Sequence, residues 1–378
     1  MNFLSIMSGT STDGLSILNV RIDGVNLNTK FEIIEGKTIP YDEAIRSQLI
    51  EVSTNSPKTA EEISSLNWNL GKIISLQVAK LHYNFDIIVY SGHTVYHGPS
   101  LKLKDKGTFQ LGEISILSAE SGKTAISDFR ITDMANGGLG APLIALSDYI
   151  IFKKSGLLTI NVGGISNISY ISDKGVLAFD TGPGNMLIDQ AMEIFYNKKM
   201  DEDGLIASTG TICKEMLNFL MIDPYLKSKP PKNSGREYYG ATFFKKIMLK
   251  FSKLSKKDFV RTLTRYTAEC IKNQTDQFVC GSISTIVAGG GGTKNKVLMN
   301  DLKDLFGEKV KTFSEYGIPD EFREALGFAI IANQTLHNRA GNILSGIDFS
   351  GPIIGKISPG KNYAEIMKKI VCMEDENR

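Results

Sequence analysis

Two stretches of the chain share one alternation of apolar and polar positions. FLSIMSGTSTDGLSILNVRI (residues 3–22) runs from an apolar segment through a bend of small residues into a second apolar segment. LLTINVGGISNISYI (residues 157–171) repeats that plan, and Gly9 and Gly164, one in each bend, stand about 155 positions apart. An apolar run, a bend of Gly, Ser, Thr and Asn, and another apolar run predict a β-hairpin whose turn offers backbone N–H groups. Two such hairpins, each followed by strands and helices, fit a duplicated α/β architecture with a cleft between its halves, and equally fit two unrelated hairpins.

Helical spacing appears at Leu66, Leu70, Ile74, Val78 and Leu81, which fall on one face. The following DIIVYSGHTVYH predicts a strand running into a polar loop. Beyond Gly184, Asn185 is placed to cap a helix striped by Leu187, Ala191, Ile194 and Phe195. STIVAGGGGTKNKVLMNDLKDLF predicts a strand, a glycine loop and a helix with Leu298, Leu302, Leu305 and Phe306 on one side. The longest polar interval, DPYLKSKPPKNSGREYYG (residues 223–240), is expected to be a loop within the fold, because helical patterning resumes directly at ATFFKKIMLKF.

Composition narrows the class. At 378 residues the chain has room for two ordinary domains, and 42% hydrophobic with 22% charged residues is normal for a soluble globular protein. A net charge of +2 gives no reason to expect nucleic acid, a membrane surface or a polyanion as partner. Cys213, Cys270, Cys280 and Cys372 are widely spaced without a C-x-x-C, so they are expected to be small buried hydrophobes rather than metal ligands or disulfides. MNFLSIMSGTSTDG lacks a basic segment followed by an apolar one, and nowhere do 18 apolar residues run together, so a cytoplasmic location is expected.

Glycine loops carry the candidate chemistry. SGKT (residues 121–124) is no P-loop, since Leu117 stands where the motif needs glycine. GGGGTKN is no dinucleotide fingerprint, since counting from Gly289 puts Lys294 at the third required glycine. Four glycine loops nevertheless lie at strand ends, at residues 9–14, 137–140, 182–184 and 289–292, and two carry an aspartate. Such loops let a ligand approach the backbone and favour phosphate at a following helix, so four together point to a nucleotide held between two lobes. In LAFDTGPGNMLIDQAM, Asp180 ends an apolar run, where an unpaired buried charge is costly; it is a cap, a turn-former or a reagent.

The motifs MSGTSTDG, FQLGEISILSAESGKTAISDFR, GGLGAPL, NVGGISNI, FDTGPGNMLID, PPKNSGRE, GGGGTKN and GIPDEFREALGFA occur in one order across residues 7 to about 360. Together they resemble the anhydro-N-acetylmuramic acid kinases, of the sugar kinase/heat-shock-70/actin superfamily. The resemblance implies a two-lobed, actin-like α/β ATPase fold. Each lobe would hold a mixed five-stranded sheet with flanking helices, and the active site would lie in the interlobe cleft. Expected boundaries are residues 1–130 with about 345–378 for lobe I, and 131–344 for lobe II. The implied reaction opens the sugar's 1,6-anhydro bridge with water while O6 takes the γ-phosphoryl group of ATP, with Mg²⁺ as metal.

Matched to the family's motifs, Asp180 is the general base that activates the water. Its alternative is a helix cap. The first phosphate turn takes Gly9, Thr10, Ser11, Asp13 and Gly14, with Asp13 near Mg²⁺; the second takes Gly163, Gly164 and Asn167. Gly182 and Gly184, with Thr181 and Asn185, shape the turn near the phosphates, and Gly290, Gly291 and Asn295 match the adenosine-side loop. Arg130 and Glu324 are expected at the sugar, Glu324 also assisting the base, with Thr94 and His97 beside them. Glu324 as an exposed helix glutamate and His97 as a structural histidine stay open, and Asp128 and Asp133 are expected to support Arg130.

Three departures stand out: Ser16 where the family usually has aspartate, SGHT where it has HGQT, and one glycine more before TKN. Ser91 and His93 are expected in the part of the cleft that touches sugar. The alternatives are a kinase of another anhydro-sugar such as levoglucosan, or a non-catalytic nucleotide-binding regulator. The resemblance further implies a homodimer and a role in recycling cell-wall fragments.

Overall fold

Short apolar runs between glycine bends become strands, and thirteen form among the residues that this computed structural model describes (1–9, 11–53, 57–99, 106–343 and 349–375). They are β1 (Asn2–Ser8), β2 (Gly14–Asp23), β3 (Lys30–Pro40), β4 (Ile87–Tyr90), β5 (His93–Pro99), β6 (Lys106–Leu111) and β7 (Thr124–Ser127). Then come β8 (Leu157–Val162), β9 (Ile165–Ser172), β10 (Gly175–Pro183), β11 (Thr285–Gly289), β12 (Val310–Thr312) and β13 (Lys356–Ser358). The chain divides into two compact units, Met1–Lys153 with Glu321–Arg378, and Lys154–Asp320.

These limits differ from those expected near 130 and 345 because helices on either side of the divide pack into the first unit. Ser147 Oγ, on the helix Ala145–Phe152, donates 2.8 Å to the carbonyl of Gly327 on the helix Arg323–Leu336. Arg323 reaches Asp148 at 2.6 Å, and Ser5 Oγ on β1 donates 2.6 Å to the Ala325 carbonyl.

In the first unit the sheet order is β13-β7-β4-β1-β2-β3. β1, β2 and β3 form an antiparallel meander, while β4 and β7 run parallel on the far side of β1. The second unit has the order β10-β9-β8-β11-β12 with the same directions. Order and direction thus match strand for strand, so the two hairpins are equivalent parts of a duplicated plan rather than unrelated turns. The first sheet has six strands instead of the expected five because three-residue β13 pairs antiparallel with β7. His93–Pro99, expected as loop, pairs with Lys106–Leu111 in a separate two-stranded ribbon.

The helix Ala60–Ala79 buries Leu66, Leu70, Ile74 and Val78 in a core with Leu4, Ile6 and Ile88; at full burial each such side chain contributes about 1.5–3 kcal/mol. Thr59 and Glu62 close its N-terminus as a capping box. In the second unit, Lys256–Phe278 is the central helix, with Phe259, Leu263, Tyr266 and Cys270 facing Leu187, Ile188 and Met192. Cys270 is buried as expected, but Cys280 and Cys372 are exposed. Among the described residues no helix is long and apolar enough to cross a membrane.

Candidate active site

In the first unit the bend between β1 and β2 presents Ser11 and Asp13 to solvent. Thr12 is buried there, its N–H donating 3.0 Å to the Gly9 carbonyl, and the carbonyl of Asp13 accepts from the Tyr41 N–H at 3.2 Å. Thr10 lies outside the described residues. Under the bend, Ser8 Oγ lies 2.6 Å from the Tyr41 hydroxyl and 2.8 Å from His93 Nδ1, and the Ser8 N–H donates to Ser91 Oγ. Ser91 and His93, expected at the sugar, are therefore buried supports of the first turn. The reason is that β4 and β1 are parallel neighbours, which brings their ends together.

Burial pushes the His93 imidazole down to about 4. Its folded value lies below the unfolded value of about 6.5, so its stabilising contribution is complete above that pH and is lost as pH falls toward 4. The thermal midpoint should accordingly drop between about pH 7 and pH 4, and drop less in His93→Gln. Equal slopes in calorimetry of the two proteins would remove His93 as a source of the effect.

Arg130, on the helix Phe129–Ala135, donates 2.6 Å from Nη1 to the Gly140 carbonyl. Burial lowers its pKa, and the charges of Glu324 and Asp133 oppose that shift. Asp133 is fully buried and accepts from the Gly140 N–H and from Asn342 Nδ2, both at 2.7 Å, so it holds the 138–140 bend on which Arg130 rests. Asp128 instead pairs with Lys356 at 3.0 Å. His97, on β5, has Nδ1 3.2 Å from Thr108 Oγ1, and burial together with the Arg130 charge pushes it down to about 4. Thr94, on the same strand, accepts from Gln110 Nε2 at 3.4 Å.

Glu324 stands out on its helix: every other residue from Arg323 to Leu336 is buried. It is half-buried, in the first turn, where the helix dipole favours a carboxylate. The structure thus joins Arg130, Asp133 and Glu324 electrostatically.

In the second unit the bend at Gly163 and Gly164 joins β8 to β9. Its carbonyls accept from the start of the helix Met186–Tyr196: Gly184 N–H to Gly164 at 2.9 Å, Asn185 N–H to Gly163 at 2.8 Å and Met186 N–H to Gly164 at 3.1 Å. Glycine is required at 184, since a Cβ there would sit 2.3 Å from the Gly163 carbonyl oxygen. The Gly184 N–H is therefore engaged within the protein, and the absence of a side chain there lets two turns meet. Thr181 is buried, with Oγ1 2.7 Å from Ser166 Oγ.

The third bend follows β11. Gly290 adopts φ +86°, and a Cβ there would sit 2.7 Å from Asn161 Oδ1. Gly291 is exposed, with the Asn185 amide nearby. Of the two asparagines, the one expected to cap does not, and the other does. Asn185 makes no side-chain cap, whereas Asn295 Oδ1 accepts from the N–H groups of Val297 and Leu298 at 3.1 Å and caps the helix Lys296–Phe306.

Asp180 lies near the end of β10, opposite Asn167 on β9 and beside a bulge that ends at Gly182. Its N–H donates 3.2 Å to the Lys232 carbonyl, its carbonyl accepts from the Tyr225 hydroxyl at 2.9 Å, and its Oδ2 accepts from the Ser234 N–H at 2.9 Å. It does not cap the following helix. Residues 232–234, within the motif PPKNSGRE, were not among the expected site residues; the available signal was that this motif follows FDTGPGNMLID in the ordered set that carries the resemblance. Asp189, also unforeseen, is half-buried on the helix Met186–Tyr196, and desolvation raises its pKa to about 6.

A family model described as anhydro-N-acetylmuramic acid kinase matches residues 1–359. An anhydro-N-acetylmuramic acid kinase of Clostridioides difficile is 36% identical over 377 residues, covering 95% of this chain and 98% of that protein. One from Bacillus cereus is 36% identical over 365 residues, covering 91% and 95%. Among solved structures, component A of the (R)-2-hydroxyglutaryl-CoA dehydratase of Acidaminococcus fermentans matches with a TM-score of 0.46 at 13% identity, covering 87% of this chain and 96% of that one. A ligand-bound xylulose kinase from Lactobacillus acidophilus matches with a TM-score of 0.45 at 11% identity, covering 100% and 97%.

Proposed function

The chain belongs to the anhydro-N-acetylmuramic acid kinase family, and on that premise we propose that it phosphorylates 1,6-anhydro-N-acetylmuramic acid at the expense of ATP. Water adds to the anomeric carbon, the 1,6-anhydro bond breaks, and the freed O6 takes the γ-phosphoryl group. The products are N-acetylmuramic acid 6-phosphate and ADP. One observation carries the residue assignment: Asp180 is a carboxylate at a strand end, oriented by a backbone N–H on Oδ2. In that position it serves as the general base that takes the proton of the attacking water.

Arg130 and Glu324 bind the sugar's polar groups, a guanidinium fork suiting hydroxyls or the lactyl carboxylate, with Thr94 and His97 beside them. Gly9, Thr10, Ser11, Asp13 and Gly14 form the first phosphate turn, and Gly163, Gly164 and Asn167 the second. Gly182 and Gly184 shape the turn near the phosphates, Gly184 by letting it approach the bend at Gly163, and Gly290, Gly291 and Asn295 form the adenosine-side loop.

Among the described residues no group of three or more His, Cys, Asp or Glu side chains is placed to hold a metal by itself. That suits Mg²⁺ arriving with ATP, which typically takes one or two carboxylates along with phosphate oxygens and water. The exposed Asp13 would supply the carboxylate, and the ion would neutralise phosphate charge. The resemblance extends the proposal to a homodimer in the cytoplasm, which sedimentation and cell fractionation would test.

The deciding experiment mixes purified protein, Mg-ATP and 1,6-anhydro-N-acetylmuramic acid, and follows sugar mass and ADP. A product heavier by one water plus one phosphoryl group is expected. Conversion of levoglucosan but not of this sugar would overturn the substrate assignment.

A further inference from the structure

Lys232 sits at the centre of the contacts that surround Asp180, yet no step assigned above uses it. Its ammonium donates to Gln274 Oε1 on the helix Lys256–Phe278 and, at 3.0 Å, to the Tyr225 carbonyl. Gln274 is fully buried and itself held, donating from Nε2 to the Leu226 carbonyl at 2.8 Å. The ammonium also lies over three aromatic rings, 4.5 Å from the centroid of Tyr225, 5.4 Å from Phe278 and 5.8 Å from Phe179. Two of those rings belong to the surroundings of Asp180: Phe179 precedes it in the chain, and the Tyr225 hydroxyl holds its carbonyl. The carbonyl of Lys232 itself accepts the Asp180 N–H, and two residues later the Ser234 N–H donates to Asp180 Oδ2.

We propose that Lys232 is the positioning residue of the Asp180 carboxylate: its ammonium fastens residues 232–234 to the helix Lys256–Phe278, and the backbone of that segment sets the direction of Oδ2. The proposal rests on Asp180 acting as base in the reaction above. Without the ammonium, the segment keeps no charged tie to the helix, and the Ser234 N–H is free to drift from Oδ2. The charge acts as well as the tie. Asp223 and Asp180 are the carboxylates felt at the ammonium, while burial keeps the Cys270 thiol protonated, so a cation there favours the ionised form of the base. Burial among the rings lowers the Lys232 pKa to about 8, which places its own loss of charge within reach of a pH profile.

The test compares wild type, Lys232→Gln and Lys232→Arg. One readout is steady-state kinetics. The other is the carboxyl carbon resonance of Asp180, identified by its disappearance in Asp180→Asn and followed against pH without substrate. Misplacing a reacting group by about 1 Å costs about 10²-fold in rate. Lys232→Gln should therefore lose turnover on about that scale while KM for ATP and sugar changes little, and its Asp180 resonance should titrate at higher pH. Lys232→Arg should keep most turnover and lose any alkaline fall of rate near pH 8. Turnover of Lys232→Gln within twofold of wild type, with the Asp180 titration unmoved, would overturn the proposal. Should Lys232→Gln fail to fold, an alkaline limb near pH 8 that persists in Lys232→Arg would overturn it. A wild type inactive on the sugar would refute the kinase reading, and the Asp180 titration would then decide the role of Lys232 alone.

Discussion

Asp180→Asn is expected to lower kcat by about 10²- to 10⁴-fold, the typical contribution of a positioned base. The substitution keeps size and shape, and an amide oxygen still accepts from the Ser234 N–H, as Oδ2 does now. The contacts of the backbone to Lys232 and Tyr225 do not involve the carboxylate and persist. Thermal stability and affinity for ATP and sugar should therefore stay near wild type while turnover collapses. ADP release with the anhydro-sugar, measured beside a binding isotherm for each ligand, separates the two. Near-full turnover in Asp180→Asn would show that another group takes the proton.

The second large effect concerns stability at the other candidate carboxylate. Arg323 and Asp148 form an ion pair with both side chains almost entirely withdrawn from water. Burial raises the Asp148 pKa, and the guanidinium opposes it, so the carboxylate depends on its partner to stay charged. Asp148→Ala leaves the buried guanidinium without this counter-charge, and breaking such a pair costs about 3–5 kcal/mol. For a folding unit of this size the melting temperature should fall by on the order of 10 °C.

Because Arg323 directly precedes Glu324 at the start of their helix, turnover should fall along with stability. Exchanging both partners for apolar residues of similar volume (Asp148→Leu with Arg323→Met) should recover most of the stability, since no charge then remains buried. A loss below about 1 kcal/mol in Asp148→Ala, measured by urea unfolding, would contradict this account of the pair.

Both predictions bear on the two candidate carboxylates, Asp180 and Glu324, whose motifs were visible in the chain but whose surroundings were not. Asp180 is marked by FDTGPGN, and Glu324 by GIPDEFREA. The three groups that hold Asp180 in place come from 45 to 54 positions further along. The fate of the asparagines follows the same rule. Asn185 and Asn295 both precede helices, which is all that local pattern registers. Which one caps follows the backbone: Asn295 is extended at φ −79° and ψ 101°, as a side-chain cap needs, whereas Asn185 already has helical angles at φ −77° and ψ −17°.

The sequence by itself determined the two hairpins, the glycine bends, the amphipathic helices and the family. These rest on periodicities and motifs contained within a few turns of chain, where neighbouring residues decide one another's conformation. Tertiary structure alone decided the pairing of β5 with β6, the sixth strand of the first sheet, the burial of His93 beneath the first bend and the place of Lys232 beside Asp180. Each depends on hydrogen bonds or packing between segments far apart in the chain. No local pattern encodes such partners, because the free energy of each contact exists only once the sheets and helices have brought them together.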